Sequence, residues 1–142
     1  MVSDNLNRVW IGSDANPSLN IPASIYCLNT DMSINKNIVL GLSHSVSHLK
    51  INGAGNEIYY FDNNGVNAIS INDTSAPANP FSPVNGRNLY GLGVDPYNGD
   101  VFVSDALDYV QNSKIYRYDK NANLIQSFTA GLIPGNFAFN GQ

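Results

Sequence analysis

Three times along this chain, the same succession of short apolar strands returns at a nearly fixed interval. Asn7-Arg8-Val9-Trp10-Ile11-Gly12-Ser13-Asp14, Asn56-Glu57-Ile58-Tyr59-Tyr60-Phe61-Asp62 and Gly99-Asp100-Val101-Phe102-Val103-Ser104-Asp105 each run from a polar turn into an apolar strand. Val9, Ile58 and Val101 stand 49 and 43 residues apart. A second strand type follows each (Ile25-Tyr26-Cys27-Leu28-Asn29, Ala68-Ile69-Ser70-Ile71-Asn72, Ile115-Tyr116-Arg117-Tyr118-Asp119), at spacings of 43 and 47. A third type comes next, in Val46 to Asn52, Leu89 to Asp95 and Gly135 to Asn140, with Leu49, Leu92 and Phe137 43 and 45 residues apart. Ile38-Val39-Leu40, Phe81-Ser82-Pro83-Val84 and Leu124 to Phe128 supply a fourth. A unit this short cannot bury a core alone, so neighbouring units must stack and share one.

Four short strands every 43 to 49 residues predict β-propeller blades. Asn-Gly pairs at Asn64-Gly65 and Asn98-Gly99 suit tight hairpins, and Pro83 suits an outer edge strand, where a missing N–H costs little. With strands labelled a to d from the axis outward, the order reads b-c-d-a three times. The expected units are residues 7–52, 53–95 and 96–140 of a single partial propeller domain spanning 1–142. Rings hold at least about four blades. The expected fold is therefore all-β, with three four-stranded antiparallel blades in a partial ring or a ring closed by oligomerisation. The first and last strands are expected to form an incomplete blade unless another segment supplies the partner, and the expected assembly is a homodimer or association through open propeller edges.

Composition supports the strands and removes several functions. Of 142 residues only 13% are charged, and polarity is carried by 22 Asn against a single Glu, Glu57. Asn favours turns, while the usual helix-surface residues are scarce. A net charge of −4 argues against a nucleic-acid partner. No stretch approaches the roughly 20 apolar residues of a membrane helix, and residues 1–7 show no signal-peptide pattern. Cys27 lies within an apolar alternation and reads as core.

Leu89-Tyr90-Gly91-Leu92-Gly93-Val94-Asp95-Pro96-Tyr97-Asn98-Gly99-Asp100-Val101-Phe102-Val103-Ser104-Asp105-Ala106 is similar to blades of the YVTN/NHL-like propellers. With Ile115 to Tyr118 and Ala130 to Phe139, it resembles the C-terminal end of YncE-like surface propellers of gut Gram-negative bacteria, closely over 89–140 and by blade pattern alone over 7–88. The resemblance implies an exported, periplasmic or outer-surface protein. It also implies nutrient capture, since some relatives are lipid-anchored proteins that take up corrinoids. Members have seven blades and an export signal, neither of which this sequence carries in full.

In a propeller the b–c and d–a loops open on one face, and the a–b and c–d loops on the other. On the first face fall Asp14, His44, His48, Arg87, Tyr90, Asp108 and Tyr109, the expected ligand-binding set. Arg87, one of three arginines, leads it, with a solvated loop charge as the plainer role. Tyr90, Tyr97 and Tyr109 lie at strand ends or in loops and are candidates for stacking on a ligand.

No metal or cofactor is expected. His44 and His48 have H-x-x-x-H spacing but enter a strand, where they would sit about 13 Å apart. Asp95 to Asp100 lacks the spacing of a calcium loop. Asp105 and Asp108 are the nearest approach to a catalytic pair, but Asp105 occupies the strand-end place of Asp14 and Asp62, which points to turn capping. The leading expectation is a non-catalytic binding or interaction propeller for a small molecule, corrinoid or glycan. A glycan-active enzyme using acidic top-face residues, and a purely structural propeller segment, are the alternatives.

Overall fold

The computed structural model describes residues 1–140. They form three four-stranded antiparallel sheets and almost no helix. The first sheet holds β1 (Val2–Ser3), β2 (Val9–Ser13), β3 (Ala23–Leu28) and β4 (Ile34–Gly41) in chain order. The second holds β5 (Ser47–Ile51), β6 (Glu57–Asp62), β7 (Gly65–Ser70) and β8 (Ser82–Pro83). The third holds β9 (Leu89–Val94), β10 (Val101–Asp105), β11 (Lys114–Tyr118) and β12 (Leu124–Thr129). A single 3-10 turn, Pro17–Leu19, interrupts the loop between β2 and β3.

Each sheet takes its four strands in chain order starting from the strand before the one labelled b, which corrects the expected b-c-d-a order. Val2–Ser3 pairs with β2, so the first sheet is complete, while Gly135 to Asn140 forms no strand. That segment lies instead against β9 and β10. Phe137 covers Gly93, where an added Cβ would meet the Phe137 Cβ at 2.7 Å and its ring at 2.8 Å, and Phe102 packs against Phe137 and Phe139 at 5.8 and 5.4 Å between centroids. Pro83 takes the edge of the second sheet, as its missing donor requires.

The middle sheet explains the stacking. Strand β6 is apolar on successive residues because both its faces are covered. Ile58 and Tyr60 join Trp10, Ile25, Cys27 and Ile38 of the first sheet, whereas Tyr59 and Phe61 join Leu92, Val101 and Val103 of the third. The ring of Phe81 bridges Tyr59 and Tyr118 edge-on, at 5.3 and 6.1 Å. Burial in the first of these cores raises the Cys27 thiol pKa, consistent with an inert core residue.

Candidate functional site

Successive turns at one end of the sheets are built alike and touch one another. Asp4 Oδ1 accepts from the N–H groups of Leu6 and Arg8 at 2.9 and 3.0 Å. Asn52 Oδ1 accepts from Asn56 and Glu57 at 3.0 and 3.3 Å, and Asp95 Oδ1 from Tyr97 at 2.9 Å. Each side chain mimics a backbone turn and closes the first hairpin of its sheet. The Asn5 N–H donates to the Gly55 carbonyl at 2.9 Å, tying the first turn to the second. Gly53 sits so close to the Pro96 carbonyl that no Cβ fits between them, bringing the second turn onto the third.

The groove between the first two sheets is filled. Arg8 donates through Nε to Asp4 Oδ2 at 2.8 Å and reaches the Ile71 carbonyl at 3.5 Å. Lys36 donates to the same carbonyl at 2.8 Å and to that of Asp73 at 3.2 Å. Burial raises the Asp4 pKa, but the bonds from Trp10, Arg8 and Leu6 outweigh it and hold the carboxyl below its ordinary range.

The groove between the second and third sheets is open. Glu57 stands there at the repeat position of Arg8, and a cleft of about 220 Å³ remains, lined by Asn52, Glu57, Tyr59, Tyr97, Asn98 and Lys120 together with turn backbone. Tyr59 donates its hydroxyl to Glu57 Oε2 at 2.8 Å, and burial raises the Tyr59 pKa, so it stays a donor. Asn52 is committed to its own turn, and Asn98 Oδ1 accepts from the Asp100 N–H at 2.8 Å. Among the described residues no donor reaches Glu57 Oε1 and no acceptor reaches the Lys120 ammonium. Tyr97 is 67% exposed at the rim. The cleft therefore offers a carboxylate oxygen, an ammonium, an amide and a flat aromatic face.

No family model and no curated protein matches the chain. The cleft lies at the opposite end of the sheets from the expected binding set, most of which is engaged within the fold. Asp14 Oδ1 accepts from the Val46 N–H at 2.7 Å. His44 Nδ1 is 3.1 Å from Asp62 Oδ2, while His48, at φ 56° in a bulge of β5, packs on Phe61 at 5.1 Å. Packing, then Lys50, lowers the His48 pKa. The two rings thus have different partners, and among the described residues no group of three side chains is arranged to hold a metal.

Arg87 lays its guanidinium 4.0 Å over Tyr116 and donates to the Tyr118 hydroxyl at 2.7 Å, so it clamps a loop to β11. Asp108 caps its own turn, accepting from Val110 and Gln111 at 3.1 Å; the Val110 bond first, with the Gln111 bond behind it, lowers its pKa against an opposing desolvation. Asp105 likewise accepts from the N–H groups of Asn88 and Leu107 at 2.9 Å. Tyr90 and Tyr109 do come together, edge to face at 6.1 Å, and Tyr109 donates to Asn88 Oδ1 at 3.1 Å. Sequence reasoning named Tyr97 but passed over Glu57, Asn98 and Lys120. Glu57, the lone Glu, differing in sign from Arg8 one repeat earlier, was the available signal.

Proposed function

We propose that the three stacked sheets are consecutive blades of a β-propeller of the YncE-like, YVTN/NHL kind. In this reading the protein is a non-catalytic binding protein that holds one sugar unit of a glycan in the cleft between Glu57 and Lys120, at the cell surface or in the periplasm. The observation that carries the reading is the exchange of Arg8 for Glu57 at matching positions, which leaves one groove plugged and the next one open. A hydroxyl-bearing ring donates to Glu57 Oε1, accepts from the Lys120 ammonium and the Asn98 amide, and lays its C–H face on Tyr97.

Size and chemistry narrow the ligand. The volume of about 220 Å³ is below the roughly 300–1,000 Å³ of pockets for drug-sized molecules. A single polar ring suits it, and a corrin macrocycle does not. Glu57 is the one carboxylate among the lining residues, whereas glycoside hydrolysis uses a pair about 5–9.5 Å apart. Binding without turnover follows.

Calorimetric titration of the wild type and of Glu57→Arg with glucose, galactose, N-acetylglucosamine and cobinamide tests the proposal. The expected result is saturable binding of at least one sugar by the wild type, lost in the variant while its circular dichroism is unchanged. Silence for every sugar, or a sugar that binds both proteins equally, overturns it; cobinamide binding alone would redirect it to the corrinoid reading.

A further inference from the structure

An asparagine followed by glycine is open to attack by its own main chain, because glycine puts no Cβ beside the attacking nitrogen. The chain has five such pairs: Asn52-Gly53, Asn64-Gly65, Asn85-Gly86, Asn98-Gly99 and Asn140-Gly141, the last reaching beyond the described residues. The attack needs a side-chain amide free to turn and a glycine N–H free to give up its proton. Three of the four described pairs are held back. Asn52 accepts at Oδ1 from the Asn56 and Glu57 N–H groups at 3.0 and 3.3 Å and donates through Nδ2 to Asn56 Oδ1 at 2.8 Å, while Gly53 is pressed under the Pro96 carbonyl. At Asn98 both groups are tied: Oδ1 accepts from the Asp100 N–H at 2.8 Å, and the Gly99 N–H donates to the Asp95 carbonyl at 3.0 Å. Gly65 is buried in register between Asp62 of β6 and Pro83 of β8, and the Asn64 carbonyl accepts from the Val84 N–H at 2.8 Å.

Asn85-Gly86 differs on each count. Both residues are exposed, at φ 48° and 74°, at the tip of the turn that the Arg87 N–H closes on the Val84 carbonyl at 2.9 Å. Among the described residues nothing bonds the Asn85 side chain or the Gly86 N–H, and a Cβ built on Gly86 would meet nothing within 4 Å.

We propose that Asn85 is a site of spontaneous modification, the place where the folded protein deamidates ahead of its other described Asn-Gly pairs. The Gly86 nitrogen gives its proton to water and attacks the Asn85 Cγ. The Cγ–Nδ2 bond breaks, ammonia leaves with a proton regained from water, and a succinimide ring remains. One water then opens the ring at either carbonyl, leaving aspartate or isoaspartate; nothing is oxidised or reduced. Either product adds one negative charge to a net charge of −4. Isoaspartate also inserts its Cβ into the main chain between Val84 and Arg87, the residue that clamps this loop to β11. The cleft amides Asn52 and Asn98 keep their chemistry, because the bonds that shape their turns also withhold the reacting groups.

Incubation of the full chain in mildly alkaline buffer, with and without denaturing urea, tests this, with peptide fragmentation in a mass spectrometer to place each converted residue. In the folded protein Asn85 is expected to convert at least about tenfold faster than Asn52, Asn64 or Asn98, because each of those must first open locally and give up hydrogen bonds. In urea the four rates are expected to converge. Conversion of Asn85 no faster than the other three in the folded protein overturns the proposal. So does an order of rates that persists unchanged in urea, since it would follow from flanking sequence and not from the fold.

Discussion

Asp4→Asn replaces one carboxylate oxygen by an NH₂ group at the point where the first turn, the first core and the plugged groove meet. The carboxylate is 5% exposed as a residue and accepts four bonds, from the Leu6 and Arg8 N–H groups at Oδ1 and from Trp10 Nε1 and Arg8 Nε at Oδ2, the last two both at 2.8 Å. An asparagine keeps the two at Oδ1. At the other position it presents an NH₂, a donor facing two donors. Bonds to a charged acceptor are worth about 1.5–3 kcal/mol each, and stripping one member of a buried ion pair costs roughly 3–5 kcal/mol. The two figures describe overlapping losses, so the expected destabilisation is about 3–5 kcal/mol, against a total of roughly 5–15 kcal/mol for a domain.

Urea unfolding followed by fluorescence measures this directly, because Trp10 is the only tryptophan and sits on the altered group. The pH dependence adds a second signature. With its pKa held below 3.8 in the folded state, Asp4 contributes stability that is complete above 3.8 and disappears as pH falls through the folded value. The gap between wild type and Asp4→Asn should therefore narrow below pH 3.8. A loss under about 1 kcal/mol, the worth of one ordinary hydrogen bond, or a gap that is constant into acid, would refute the reasoning.

Other perturbations follow from the same contacts. Arg87→Ala removes the stack on Tyr116 and the bond to Tyr118, at a cost of roughly 1–3 kcal/mol; Arg87→Lys does not restore it, because an ammonium lacks the planar fork, and thermal unfolding of the pair checks both statements. Sugar affinity in the cleft is unchanged in both, by titration. Gly53→Ala drives a Cβ into the Pro96 carbonyl and is expected to destabilise by about 1–3 kcal/mol, whereas Gly131→Ala, with open space around it, stays within about 0.5 kcal/mol of wild type in the same denaturation assay.

Strands with a periodic signal and local hairpin partners were legible in the sequence. β2, β3, β6, β7, β10 and β11 fall where the apolar runs predict, and Pro83 marks β8 as an edge. What was not legible depends on side chains closing distant or very short contacts. β1 is two residues long and has no period to detect; the Asp4 turn holds it against β2. Gly135 to Asn140 has the alternation of an inner strand but stacks its phenylalanines on Phe102 instead of pairing its backbone. The candidate site failed to appear for a related reason. Rarity picked out Arg87, which is consumed by Tyr116 and Tyr118, while the open groove depends on which residue occupies one repeat position and on how closely Gly53 approaches Pro96.

The two ends of the sheets give opposite answers to one measurement, the backbone amide shift map of the ¹⁵N-labelled protein titrated with the sugar that binds in calorimetry. The account predicts saturable shifts confined to residues 52–57, 96–99 and Lys120, absent from the same titration of Glu57→Arg. Shifts centred instead on Asp14, His44, Arg87 and Tyr109, or persisting in the variant, would contradict it.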